Sequence, residues 1–172
     1  IVRENLEGSY FGKGGLEGDL DDLRAMAGEN ERVASTIADI GDGAYALRIV
    51  SEANVRRLGR IVCGFAESHF DHRPVTLTCA TKSNILGGTD GLFDAVLADA
   101  GAENDAVEFE HLHVDNAGAQ MVGDPQRFDL IVTTNAPGDI LSDVGVATVG
   151  GLGLAPSGVY GDDVAYFEPV HG

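Results

Sequence analysis

The sequence predicts an α/β layered domain, and two observations carry that reading. Strand-like apolar runs at 75–79, 107–113 and 129–133 alternate with segments at 52–67 and 89–100 whose apolar residues recur at helical spacing. The chain has 172 residues, 44% of them hydrophobic, with 24 glycines, so it can bury a substantial core and still turn often.

Taken in order, residues 1–4 read as a short strand running into a loop. Residues 12–28 are rich in Gly and Asp without a sustained period, which predicts a loop with at most one helical turn inside 19–26. Residues 33–38 and 44–50 are β-leaning, and Gly41-Asp42-Gly43 between them predicts a hairpin. In 52–67, Val55, Leu58, Val62, Phe65 and Ala66 mark one helix face, with Ser51 as N-cap. Residues 75–79 predict a buried strand. In 89–100, Leu92, Phe93, Val96 and Leu97 mark a second helix face, and 107–113 alternates as a strand. A short helix is expected at 117–122, ending before Asp124-Pro125, then a strand at 129–133. Residues 137–145 lead into a helix, because Pro137 suits a first turn that needs no amide donor. Residues 164–170 read as extended. The hairpin at 33–50 implies that the sheet, or an appended arm, is not purely parallel. No repeat or linker divides the chain, so 1–172 reads as one segment.

Net charge is −17, from 28 acids against 11 bases, and Lys13 and Lys82 are the two lysines. Such a surface repels nucleic acid and anionic membranes. Acid-rich and lysine-poor composition predicts a halophilic protein of a high-salt cytoplasm, where screening removes self-repulsion. No apolar run reaches the length of a membrane span, and a cytoplasmic location is expected. Cys63 and Cys79 sit in apolar contexts without metal-site spacing and read as buried thiols. The opening on Ile1 without Met, and the stop at Gly172 just after Glu-Pro-Val-His, read as the ends of a segment of a longer polypeptide.

Asp139 and Asp143 lie four residues apart, on one face if helical. They could simply favour the positive end of a helix dipole. Asp115, after the strand at 107–113, could join them as a third oxygen donor for a hard cation such as Mg²⁺ or Mn²⁺. Lys82, directly after the buried strand, could act as a base if partly desolvated beside a metal. Arg3 could clamp a carboxylate, and Tyr10 could donate a proton. His111 and His113 share a strand face but lack a third ligand, so no zinc site is read. Neither a Walker A pattern nor a strand followed by Gly-x-Gly-x-x-Gly occurs, and Gly150-Gly-Leu-Gly153 reads as turn chemistry.

Seven segments, in order, together resemble the β-decarboxylating dehydrogenases: 2–10, 81–84, 114–117, 128–132, 138–143, 153–157 and 168–172. Members of that family act on 3-isopropylmalate, isocitrate, homoisocitrate or tartrate/D-malate. The resemblance implies an isopropylmalate/isocitrate dehydrogenase-like fold, here mainly the dimer-forming second domain, with a mixed sheet, helices and an arm hairpin, and 164–172 as the returning strand. It implies oxidative decarboxylation of a 2-hydroxy acid with hydride transfer to NAD or NADP. Arg3 would bind a substrate carboxylate, Tyr10 would protonate the enol carbon, and Lys82 would help remove the hydroxyl proton with Asp115 beside it. Asp115, Asp139 and Asp143 would bind magnesium or manganese. Asn84 would approach the nicotinamide ring and His171 the adenine. Lys82 and Asp115 would serve the partner subunit's site, so the active species would be a homodimer or larger.

Ala136-Pro137-Gly138 departs from the family, which usually has a bulky residue before that Gly. Residues 114–117 and Gln120 look most like isopropylmalate dehydrogenase, whereas 81–84 and 5–8 look more like the tartrate/D-malate or homoisocitrate enzymes. 3-Isopropylmalate is the favoured substrate. A non-catalytic dimerisation piece is the reading from a different class, and the segment alone is expected to be inactive. The halophile reading predicts that the melting temperature rises with KCl toward molar concentration; a flat or falling dependence would overturn it.

Overall fold

A computed structural model of the chain describes residues 1–10, 16–28, 30–161 and 163–169. Its centre is a four-stranded sheet in the spatial order β1 (Val2–Arg3), β6 (Leu130–Thr133), β4 (Val75–Thr81) and β5 (Val107–His113). Every pairing in that sheet is parallel. Antiparallel pairing occurs in two separate ribbons: β2 (Leu16–Asp19) with β3 (Ala44–Leu47), and β7 (Pro156–Tyr160) with β8 (Ala165–Pro169). The expected mixed sheet is therefore corrected: among the described residues the central sheet is parallel, and the antiparallel character lies in the ribbons.

Strand alternation sorts the core into two layers. Val75, Leu77 and Cys79 of β4, with Leu130 and Val132 of β6, meet α3 (Glu52–His69) and α4 (Asp90–Ala102) on one face. Ala80 and Ile131 meet α5 (Val114–Gly123) and α6 (Asn135–Thr148) on the other. Val55, Leu58, Val62 and Ala66 form the buried stripe of α3, and the Ser51 hydroxyl accepts the Asn54 amide at 3.4 Å as the expected N-cap. Leu77, Phe93 and Leu97 are completely or almost completely buried; each such side chain contributes about 1.5–3 kcal/mol of transfer free energy. Cys63 and Cys79 are buried free thiols. Among the described residues no helix is long and apolar enough to cross a membrane.

The arm differs from expectation. Two helices, α1 (Leu20–Ala27) and α2 (Glu31–Ile37), replace the predicted loop and the strand at 33–38. Local caps explain both. The Asp19 carboxylate accepts the Asp21 and Asp22 amides at 3.1 and 3.0 Å, and the Asn30 side chain accepts the Val33 amide at 3.2 Å. Burial of Leu20, Ala27 and Ile37 then outweighs the weak β preference of Val33, Thr36 and Ile37. The hairpin at 33–50 is corrected accordingly: β3 pairs with β2, and Gly41-Asp-Gly43 joins α2 to β3. The helix expected at 117–122 begins earlier, at Val114. β7 had no sequence signal, because Pro156 and Gly158 interrupt any strand pattern. Gly158 is needed there: a Cβ would sit 2.9 Å from the Tyr160 ring and 3.0 Å from the Phe167 ring. Gly150 and Gly151 adopt positive φ, as turn chemistry requires.

The α3–α4 crossing is close. A Cβ on Gly59 would approach the Ala100 Cβ to 2.8 Å. Gly59→Ala is expected to destabilise the protein by about 1–3 kcal/mol in urea unfolding; an unchanged midpoint would contradict this packing.

Candidate functional site

Parallel pairing sends the carboxyl ends of β1, β6, β4 and β5 to one edge of the sheet, where sites on α/β sheets collect. Arg3 ends β1, α6 leaves β6, Lys82 follows β4, and Asp115 lies in the first turn of α5 after β5.

Arg3 is held on two sides. Its Nε and Nη2 donate to Asn135 Oδ1 at 3.0 and 2.7 Å, and Nη1 pairs with one oxygen of Asp139. Asn135 is buried and donates in turn from Nδ2 to the Glu7 carbonyl at 2.9 Å. The Glu7 carboxylate accepts the Ser51 amide, the Ser51 hydroxyl and Asn54 Nδ2 at 2.7, 2.6 and 2.6 Å, which ties this loop to the start of α3. Gly138 lets α6 close on Arg3, since a Cβ there would lie 2.6 Å from Arg3 Cγ. Pro137 falls in the first turn of α6, where its missing amide costs no helical hydrogen bond. The unusual Ala136-Pro137 pair therefore leaves the acid-bearing helix intact. Asp139 and Asp143 are both exposed, one turn apart on α6.

Lys82 and Asp115 form the other half. Lys82 Nζ lies 2.9 Å from Asp115 Oδ2. That ammonium holds the Asp115 carboxyl below the usual carboxylate range, helped by amides in the first turn of α5. The Lys82 amide donates to Asp90 Oδ2 at 2.7 Å; Asp90 also pairs with Arg48, whose Nη2 donates to Thr134 Oγ1 at 2.7 Å. Asn84 is exposed in the turn after Lys82, where the Ile85 and Leu86 amides both donate to the Lys82 carbonyl at 2.9 Å. Tyr10 is half exposed. His171 lies outside the described residues.

The two halves stay apart within one chain. β4 separates β5 from β6, so Asp115 springs from a strand about 10 Å from the one leading to Asp139. No group of three or more His, Cys, Asp or Glu among the described residues is placed to hold a metal ion. Asp139 and Asp143 alone present exposed hard oxygen donors at one-turn spacing, a donor set that suits Mg²⁺ or Mn²⁺. The His111 and His113 rings pack edge to face at 5.2 Å, and His111 Nε2 lies 3.1 Å from Asp94 Oδ2. Sequence reasoning missed Glu7, Arg48, Asp90 and Asn135. The available signals were the placement of Asn135 directly after a strand and of Asp90 at a helix start.

All of residues 1–172 match the family model described as isocitrate/isopropylmalate dehydrogenase. The chain is 42% identical to the isocitrate/homoisocitrate dehydrogenase of Thermus thermophilus, over 100% of its own length and 44% of that protein's. It is 38% identical to the 3-isopropylmalate/3-methylmalate dehydrogenase of Methanocaldococcus jannaschii, over 100% of its length and 45% of that protein's. The crystal structure of isocitrate dehydrogenase from Methylococcus capsulatus aligns with a TM-score of 0.80 at 35% identity, covering 99% of this chain and 44% of that one. The chain thus spans less than half the length of these relatives. Matched along its whole length in sequence and in fold, it belongs to the isocitrate/isopropylmalate dehydrogenase family of β-decarboxylating dehydrogenases.

Proposed function

We propose that the protein containing this chain oxidatively decarboxylates 3-isopropylmalate, passing hydride to NAD or NADP in the presence of Mg²⁺ or Mn²⁺. The observation that supports this best is the Lys82–Asp115 pair at the sheet edge that also carries Arg3 and the acids of α6. In this reading Arg3, already oriented by Asn135, turns from Asp139 to a substrate carboxylate. Lys82 of a second copy, once it has shed its own proton to solvent by way of the Asp115 beside it, takes the substrate hydroxyl proton, and that Asp115 keeps the lysine directed at it. The carbon-bound hydrogen leaves as hydride to the nicotinamide, near Asn84, with His171 at the adenine. After carbon dioxide departs, Tyr10 delivers a proton to the enol carbon. Asp139 and Asp143 would hold the divalent cation, with Asp115 of a second copy completing the set; when bound, the cation would polarise the hydroxyl and carboxylate oxygens. Residues 1–172 would be chiefly the dimer-forming domain, and the β2–β3 ribbon its arm.

The 42% identity to an isocitrate/homoisocitrate enzyme favours a second reading, in which the substrate is isocitrate or homoisocitrate. Assays of the whole protein with isopropylmalate, isocitrate, homoisocitrate and D-malate, Mg²⁺ and either nucleotide decide between them. A preference for isocitrate or homoisocitrate would replace the first reading, and no turnover of any would favour a non-catalytic dimerisation module.

Lys82→Met and Tyr10→Phe should each lower kcat by about a hundredfold or more, the usual scale of general acid–base catalysis, without loss of fold. A near-normal rate from either variant removes that residue's role. Asp139→Asn should raise the Mg²⁺ concentration needed for activity; an unchanged requirement argues against a ligand. The depressed carboxyl of Asp115 should stay ionised to lower pH than an ordinary aspartate. Its attraction to Lys82 is then fully present at neutral pH and lost as pH falls through the folded-state value. An NMR titration placing Asp115 at or above about 3.9, the ordinary aspartate value, would contradict the pairing.

A further inference from the structure

We propose that Arg48 and Asp90 are positioning residues: their ion pair, between a partly buried guanidinium and a fully buried carboxylate, sets Lys82 against the start of α6. This inference rests on the catalytic reading above. Asp90 opens α4 and is fully buried. One of its carboxylate oxygens accepts the Lys82 amide at 2.7 Å, and the other pairs with Arg48. Arg48 Nη2 also donates at 2.7 Å to the hydroxyl of Thr134, the N-cap residue of α6, directly before the Asn135 that holds Arg3. Three segments remote in sequence are therefore linked: Arg48, at the end of the β2–β3 ribbon, reaches the entry to α6 directly and the turn after β4 through Asp90.

Stability alone does not account for this pair. Well-packed apolar residues of similar volume often serve a fold as well as a buried ion pair does. Among the described residues Arg48 Nε is also buried without a hydrogen-bond partner, and an unmet buried donor costs stability. What the charged pair adds is register. It links the main chain of Lys82 to Thr134 through one carboxylate and one guanidinium, neither of which can be displaced without leaving a buried charge unpaired. A base misplaced by an ångström can cost about a hundredfold in rate, so holding the Lys82 main chain in place at the sheet edge has a direct chemical use.

The test uses the whole protein and three variants: Arg48→Met with Asp90→Leu, Arg48→Lys, and Lys82→Met as reference. The double variant removes both charges together, so no lone buried charge remains. We expect it to keep its fold, to lose protection of the Lys82 amide in hydrogen exchange, and to lose kcat by about tenfold or more while KM for the 2-hydroxy acid stays within about threefold. Arg48→Lys keeps the charge but reaches less far toward both Asp90 and Thr134, and should restore part of the kcat that the double variant loses. Unchanged exchange at Lys82, or unchanged kcat and pH profile once exchange has risen, would overturn the proposal. If the double variant does not fold, Arg48→Lys decides alone: full kcat with a wild-type pH profile overturns the proposal, and a lower kcat with KM retained supports it. If wild type turns over no 2-hydroxy acid, or Lys82→Met stays active, the catalytic reading fails instead. The exchange result then still decides whether the pair positions Lys82.

Discussion

Parallel strand pairing is the constraint on which the candidate site depends. Because β1, β6, β4 and β5 all run the same way, their carboxyl ends open on one edge, and each hands its next residues to that edge. The same strand order that gathers the residues also separates them. β1 and β6 are neighbours, so Arg3 and Asp139 meet; β4 and β5 are neighbours, so Lys82 and Asp115 meet. One chain carries two candidate half-sites at a fixed spacing, and the proposed chemistry needs both.

Buried acids supply the rigidity of that edge. Glu7 and Asp90 are each buried, and each gathers donors from different elements. Glu7 binds the start of α3 and, through its carbonyl, Asn135; Asp90 binds the Lys82 amide and Arg48. A carboxylate out of water holds its donors firmly, because no solvent competes for it. In a chain with net charge −17, most of the described acids face solvent, whereas these two, like Glu4, are buried.

Much of this was legible in the sequence, and the failures have physical causes. Long amphipathic helices such as α3 and apolar strands such as β4 have periods that neighbours cannot override. The acids of α6, Lys82 and Asp115 could be placed because each follows a strand end. The arm could not: α1 and α2 depend on side-chain caps from Asp19 and Asn30, which outweigh β-leaning composition. The partnering of Arg48 with Asp90 was also invisible, since it joins residues 42 apart that share no motif. Nor does sequence spacing show that Asp139 is engaged by Arg3, or that Asp115 stands two strands away from it. Pro137 sits in the first turn of its helix, as its sequence position implied, because that turn leaves its amide position unused.

The central claim is that two half-sites of one chain are joined only between copies. Subunit complementation measures this directly in the whole protein. Lys82→Met and Asp139→Asn proteins, each expected to be impaired alone, are dissociated, mixed in equal amounts and reassociated. In a mixed dimer one site receives an intact Lys82–Asp115 half from one copy and an intact Arg3–Asp139 half from the other. The account predicts recovery toward roughly a quarter of wild-type activity, since half of randomly formed dimers are mixed and each holds one intact site. Activity no greater than the average of the two variants alone would contradict it.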